Sequence, residues 1–262
     1  MKRIANRCGY IATLREHKHV KKARATLRTL LLDTQQLLRN LGIETANISL
    51  GAALSRARSK NLSIQTVIDV GASDGRWSLI AKRYFPRATY FLLEARQEHE
   101  PELQEVKQQH QTFDYAIAAA GDTEGEIYFD ASHLFGGIAS HTPFAQNCIT
   151  VPATTIDAQV AFRRLQPPFL LKLDTHGFEI PIFEGALQTL TQTQLIVVET
   201  YNFSITEDSL RFHEICEYLA SKGFRCVDIC DPLHRPRDRS LYQMDLLFMP
   251  SNHETFSSDS YW

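Results

Sequence analysis

The chain has 262 residues, 44% of them hydrophobic, with 28 Lys and Arg against 30 Asp and Glu. That is enough to bury one sizeable core plus an extension. The five cysteines form no Cys-x-x-Cys pair and leave an odd one out, so reduced, mostly buried thiols are expected rather than a disulfide framework. No apolar run reaches the length of a secretory signal or a membrane span, so a cytoplasmic location is expected.

The charge is unevenly placed. Residues 1–60 hold 13 Lys and Arg against 3 Asp and Glu, and the rest of the chain holds 15 against 27. A basic arm of this kind suits a nucleic acid or an anionic lipid, or is a solvated helix face. No aromatic residues interleave with these charges, so nucleic acid is not the expected partner. Val20, Ala23, Leu27, Leu30, Leu31, Leu37, Leu38 and Leu41 make one apolar helical stripe that Gly42 ends. Such a stripe suits docking on the chain's own domain or on a second subunit, giving a homo-oligomer through the N-terminal helices. The organisation read here is a basic helical extension over residues 1–62, closing in a soft linker at 55–63. A single domain over 63–250 and a polar tail over 251–262 follow.

The domain opens on Thr66-Val-Ile-Asp-Val-Gly-Ala-Ser-Asp-Gly-Arg-Trp77. Val67, Ile68 and Val70 read as a buried strand, and Gly71 and Gly75 enclose Ser73 and Asp74, both good helix N-caps. Trp77, Ile80, Ala81 and Tyr84 then recur at helical spacing. A strand, a glycine turn and a helix open a nucleotide-type α/β domain. A dinucleotide fold needs Gly-x-Gly-x-x-Gly to hold a pyrophosphate. Here the spacing is Gly-x-x-x-Gly, and Asp69 and Asp74 make the turn acidic. An acidic turn repels a pyrophosphate and suits the cationic sulfonium and ammonium of S-adenosylmethionine. The next strand ends at Glu94 and Ala95, where an acid takes two ribose hydroxyls.

A charged helix over residues 97–110 and a third strand over 113–119 follow. Asp114, Tyr115 and Ala116 belong near that strand's carboxyl end, where an adenine would sit. Residues 126–130 read as another strand, and 131–147 as a long loop of the kind that serves as a functional lid. Thr154 or Thr155 caps a helix through Leu165. Phe169-Leu-Leu-Lys-Leu-Asp174 is a buried fourth strand ending on a carboxylate, and a helix over 180–190 comes after it. Residues 195–199 form a fifth strand ending on Glu199, and a helix spans 207–221. Two last strands, 224–230 and 242–249, are joined by a basic loop at 234–239. The pattern predicts a doubly wound α/β fold with a seven-stranded, mostly parallel sheet whose last strand is antiparallel.

Val67-Ile-Asp-Val-Gly-Ala-Ser-Asp-Gly75, Leu92-Leu-Glu-Ala95, Leu170-Leu-Lys-Leu-Asp-Thr-His-Gly-Phe-Glu179, Phe183-Glu-Gly-Ala186 and Gln243-Met-Asp-Leu-Leu-Phe248 together resemble the FkbM family of methyltransferases. The resemblance covers about residues 65–250. It implies a class I methyltransferase fold with a Rossmann-like sheet and S-adenosylmethionine as donor. It also implies O-methylation of a sugar, a glycan or a natural product. By the same resemblance Asp69, Gly71, Glu94 and Asp174 line the donor site; position in the turn and at the strand ends adds Ala72, Ser73, Asp74, Gly75, Ala95, Tyr115 and Ala116 around them. The chain departs from the family at His176, where many members carry Glu or another polar residue.

Methyl transfer from a sulfonium requires an aligned oxygen nucleophile and exclusion of water. A sugar hydroxyl is weakly acidic, so a base beside it helps. His176 stands just beyond the fourth strand, at the edge where open α/β sheets bind ligands, and histidine suits that task. Asp174 and Glu199, at neighbouring strand ends, are the alternatives, as hydroxyl orienters or as ligands of a divalent cation. A cation is possible but nothing in the sequence demands one. His133 and His141 in the lid loop are weaker candidates. Two other functions stay open: a binding protein that keeps the fold without turnover, and a nucleic-acid methyltransferase. The latter calls for an Asn/Asp-Pro-Pro-Tyr/Phe pocket after the fourth strand, where this chain has Asp174-Thr-His-Gly177.

Overall fold

The computed structural model describes residues 47–261. The leucine stripe at 20–41, and with it the expected docking or oligomerisation of the extension, lies outside the described residues. Helix α1 (Leu50–Arg58) precedes β1 (Thr66–Val70), α2 (Arg76–Ala81), β2 (Thr89–Glu94), α3 (Glu100–Gln109) and β3 (Phe113–Ile117). Then come β4 (Ala119–Ala120), β5 (Gly125–Asp130), β6 (Ile138–Ser140), β7 (Cys148–Thr154), α4 (Ile156–Arg163) and β8 (Phe169–Leu173). The chain ends with α5 (Glu179–Glu184), α6 (Leu187–Leu190), β9 (Thr193–Tyr201), α7 (Phe212–Ser221), β10 (Phe224–His234) and β11 (Leu241–Pro250). No helix among the described residues is long and apolar enough to cross a membrane.

Seven strands form the main sheet in the order β3-β2-β1-β8-β9-β11-β10. β3, β2, β1, β8 and β9 pair in parallel, and β11 runs antiparallel to both β9 and β10, as expected. β1 and β8 are buried along their whole length, which requires cover on both faces. Alternate residues serve the two faces. Ile68, Leu93, Leu171 and Val198 pack with Ile182, Phe183 and Leu219 on one side. Val67, Leu92, Leu170 and Val197 pack with Leu54, Ala81 and Leu103 on the other.

Several elements differ from the sequence reading. The strand over 126–130 exists but belongs to a second, four-stranded sheet ordered β4-β7-β5-β6. Its alternation, with Ile127 and Phe129 buried and Tyr128 exposed, suits a sheet with one wet face. The strand expected over 113–119 splits at Ala118, where β4 leaves to pair with β7. The 131–147 loop contains the short strand β6. The helix expected over 180–190 breaks at Gly185, whose added Cβ would lie 1.9 Å from the Gly121 carbonyl oxygen. Asp157 restarts it as α6 by accepting from the N–H groups of Gln188 (2.9 Å) and Thr189 (2.8 Å). The helix expected from 207 begins only at Phe212, because Ser209 Oγ first holds a turn by accepting from Ile205 N (2.9 Å) and Thr206 N (3.0 Å).

The boundaries also move. Leu50, Ala53, Leu54 and Ala57 bury one stripe of α1 in the core, and Arg56 pairs with Asp228 of β10 at 2.7 Å. The compact unit therefore begins at Ile48 rather than at 63, and the linker is shorter than residues 55–63. The tail is not wholly frayed either. Phe256 packs on the core, and the Arg225 guanidinium lies 4.7 Å from its ring centre.

Candidate active site

The carboxyl ends of β1, β2, β8 and β9 meet at one edge of the sheet. At the end of β1, Gly71 takes φ +70° and Gly75 φ +78°. Gly71 tolerates no side chain, since a Cβ there would lie 2.0 Å from the Asp174 carbonyl oxygen. Its N–H donates to the Leu93 carbonyl at 2.9 Å, hooking the turn to β2. Glu94 completes the cradle, accepting from Ser73 N at 2.7 Å and from Arg96 N at 2.8 Å.

Lys172 organises the site from beneath. Its ammonium lies 2.9 Å from Asp69 Oδ1 and 3.6 Å from Asp174 Oδ2, and donates to the Gly71 carbonyl at 2.9 Å. Burial works to lower its pKa, but Asp69 and Asp174 outweigh burial and hold it above its ordinary value. Lysine in an otherwise apolar strand needs acidic partners. That signal stood in Phe169-Leu-Leu-Lys-Leu173 next to Asp69, yet the sequence reading gave Lys172 no role.

A pocket of about 970 Å³, counting the space at its mouth, opens above this cradle. Its lining includes Gly71, Ala72, Ser73, Glu94, Ala95, Asp174 and His176, all singled out from the sequence. Asp69, Asp74, Gly75, Tyr115 and Ala116 are not among the lining residues, and the geometry explains each. Asp69 is fully buried against Lys172 and accepts from Ser78 Oγ at 2.7 Å. Asp74 is paired with Arg76 at 2.5 Å. The turn is thus less acidic than its sequence suggests. Gly75 faces Leu92, Leu103 and Val106. Tyr115 points to α3, where its hydroxyl donates to Glu100 at 3.2 Å, and Ala116 packs into the core. The outer wall comes instead from Ala118, Ala119 and Ala120, where the chain leaves β3.

The 131–147 segment lies over the mouth and is tethered there. Arg96 donates to the His133 carbonyl at 3.3 Å, and His99 Nε2 lies 3.1 Å from the Leu134 carbonyl. Phe135 packs on His99, with ring centres 5.1 Å apart, and the Arg76 guanidinium lies 5.4 Å from the Phe135 ring. Arg96, His99 and Phe135 escaped the sequence reading. His133 is not among the lining residues, and His141 Nε2 lies 3.4 Å from Asp122.

Beyond β8, Glu179 folds back into the turn, accepting from Gly177 N (2.9 Å) and Thr175 Oγ1 (3.2 Å). The turn puts His176 at φ +54° with Nε2 3.8 Å from both Asp174 Oδ1 and Glu199 Oε1. Those distances exceed a hydrogen bond, so three groups converge on one point without closing it. Glu199 accepts from the Tyr201 hydroxyl and the Gln243 amide. Burial first, and then Asp174, push its carboxyl up to about 8. The same two causes push Asp245 up to about 7.

These shifts fix a sign. With a folded pKa above the ordinary 4.5, Glu199 holds an extra proton in the fold between that value and about 8. Its contribution is present at low pH and lost as pH rises through about 8. Glu199→Gln should therefore be more stable than the parent at pH 9, by on the order of 1–3 kcal/mol, and nearly equal below about pH 4.5, where both states of Glu199 are largely protonated. Urea titrations at the two pH values check this. Equal stability at both would mean that Glu199 titrates normally.

The strand order, the glycine turn and the acid ending β2 are those of a class I methyltransferase fold. The family described as Methyltransferase FkbM domain matches residues 69–226, and the chain belongs to that family. Comparison with curated proteins gives no match. Among solved structures, an FkbM methyltransferase from Methylobacillus flagellatus is 15% identical with a TM-score of 0.47. That match covers 70% of this chain, which spans only 43% of the other. A 1,6-didemethyltoxoflavin N1-methyltransferase from Burkholderia thailandensis, with bound substrate and S-adenosylhomocysteine, is 13% identical at a TM-score of 0.45. Coverage there is 88% of this chain and 89% of the other. The fibrillarin pre-rRNA processing protein of Methanococcus jannaschii is 11% identical at 0.46, covering 71% and 66%. None of these likenesses bears on the acceptor.

Proposed function

We propose that the protein moves the methyl group of S-adenosylmethionine to a hydroxyl of a sugar, a glycan or a natural product. The observation that carries this is His176, which lines the pocket with Nε2 unengaged and equidistant, at 3.8 Å, from two carboxylates. Glu94 would hold the ribose hydroxyls on its remaining lone pairs, and the turn from Gly71 to Ser73 would take the amino-acid end of the donor. Ala118, Ala119 and Ala120 flank the adenine. The donor supplies an activated methyl, so the protein's own work is alignment, water exclusion and removal of one proton. The acceptor hydroxyl loses its proton to His176 as its oxygen bonds the methyl carbon. A bound donor would supply the methyl, the carbon–sulfur electron pair returning to sulfur. Asp174 orients the hydroxyl and stabilises the imidazolium, while Glu199, which holds its proton below about 8, adds a hydrogen bond at the same point.

One observation favours a second arrangement. Ligand atoms of Asp174, His176 and Glu199 lie within 4.8 Å of one another, a set that a divalent cation can use. Lys172, 3.6 Å from Asp174, opposes a cation there. Loss of transfer on chelation, with recovery on adding magnesium, would favour the cation. A cytoplasmic location is part of the proposal, in keeping with free cysteines at 148, 216, 226 and 230.

The donor site is tested by Glu94→Ala. Hydrogen bonds to a charged group contribute about 1.5–3 kcal/mol, so donor affinity should fall by about one to two decades. Calorimetry with S-adenosylhomocysteine reads this directly. An unchanged affinity would remove Glu94 from the site.

A further inference from the structure

The basic loop between the last two strands has no part in the chemistry above, yet the topology brings it to the same edge of the sheet. β11 is antiparallel to β9, so the β10–β11 hairpin turns where β8 and β9 end. Gln243 pairs with Tyr201 on one side and with Leu233 on the other, and His234 pairs with Leu241.

The hairpin tip is ordered by its own bonds. Arg235 N donates to the Ser240 carbonyl and Arg239 N to the Arg235 carbonyl, each at 3.0 Å. Asp238 accepts from Ser240 N at 3.0 Å and pairs with the Arg235 guanidinium at 2.5 Å. Arg237 and Arg239 are exposed and make no ion pair among the described residues. Their side chains project from a turn whose backbone is already ordered.

A line of rings joins this turn to the site. The Arg235 guanidinium lies 3.9 Å from the centre of the Phe203 ring. Phe203 stacks on Tyr242 at 6.0 Å, and Tyr242 meets the edge of Tyr201 at 5.6 Å. Tyr201 lies 6.5 Å from the His176 ring. Residues 61–262 are acidic as a whole, with 27 Asp and Glu against 15 Lys and Arg. Three arginines against one acid at 234–239 therefore stand out in sign.

Resting on the proposed methyl transfer, we infer that the acceptor carries an anionic group, a phosphate or a carboxylate, and that Arg237 and Arg239 bind it. The aromatic line from Tyr201 to Phe203 lies beneath the rest of the acceptor, whose hydroxyl reaches His176. Guanidinium forks match both anions bidentately, which an ammonium does not.

The test is calorimetry on the full chain saturated with S-adenosylhomocysteine, using glucose, glucose 1-phosphate, glucuronic acid and a short single-stranded RNA as probes. At least one anionic sugar should bind about tenfold or more tighter than glucose. Arg237→Gln/Arg239→Gln should abolish that preference without changing the affinity for S-adenosylhomocysteine. The Lys pair at the same positions should keep part of it. The inference is overturned if S-adenosylhomocysteine binds and neither anion gains over glucose, or if the preference survives in the double Gln variant. It is equally overturned if RNA binds tighter than either sugar through the same arginines, with affinity falling steeply in salt. Failure of S-adenosylhomocysteine to bind at all would instead condemn the donor-site reading. Preference for the phosphate over the carboxylate, or the reverse, names the anion.

Discussion

Lys172→Met should destabilise the fold by about 3–5 kcal/mol, the usual loss when one partner of a buried ion pair is removed. Asp69 would then be a fully buried carboxylate without its cation. For a domain of ordinary stability that is a large share of the total. Urea unfolding at neutral pH measures it. The second variant is as informative: Lys172→Met/Asp69→Leu removes both charges and should recover much of the loss, since a buried pair replaced by apolar groups is often neutral. A single-variant cost below about 1 kcal/mol would show that Lys172 reaches water and does not brace the turn.

His176→Ala should lower turnover by about 10²–10⁴-fold, the typical contribution of a general base. Its ring is half-buried and sits at the mouth of the pocket, so affinity for S-adenosylhomocysteine should change little. Single-turnover transfer of a labelled methyl group to the native acceptor, beside calorimetry for the donor product, separates the two effects. Retention of most of the activity would pass the task to Asp174 and Glu199, and chelator sensitivity would then decide whether they act through a cation.

What the sequence made legible followed from local rules. Val67, Ile68 and Val70 with Gly71 and Gly75 specified the first strand and turn, because β-branched burial and positive φ leave few alternatives. Glu94 at the end of β2 and Asp174 just beyond β8 were placed by the same periodicity, whereas β9 runs past Glu199 to Tyr201. What escaped depended on contacts between distant segments. Asp157 caps α6 from α4, and Gly185 approaches Gly121, so a helix that reads as continuous over 180–190 is broken. Asp69 reads as a site acid because its partner Lys172 lies 103 positions further on, across the β1–β8 pairing. His99 reads as part of the charged helix over 97–110, with Arg96 just ahead of it, because nothing local announces that the 131–147 segment returns to them. Tyr115 occupied a sound register position but pointed to the wrong face, since the chain turns into the pocket only at Ala118.

The central claim is that the donor lies in the pocket above Gly71 with Glu94 on its ribose and the reacting side turned to His176. A crystal structure of the protein with S-adenosylhomocysteine tests it most directly. Both ribose hydroxyls should lie within about 3.2 Å of the Glu94 carboxylate, with the adenine against Ala118 to Ala120 and the sulfur on the side facing His176. A ligand bound outside this pocket, or one whose sulfur points away from His176, would contradict it.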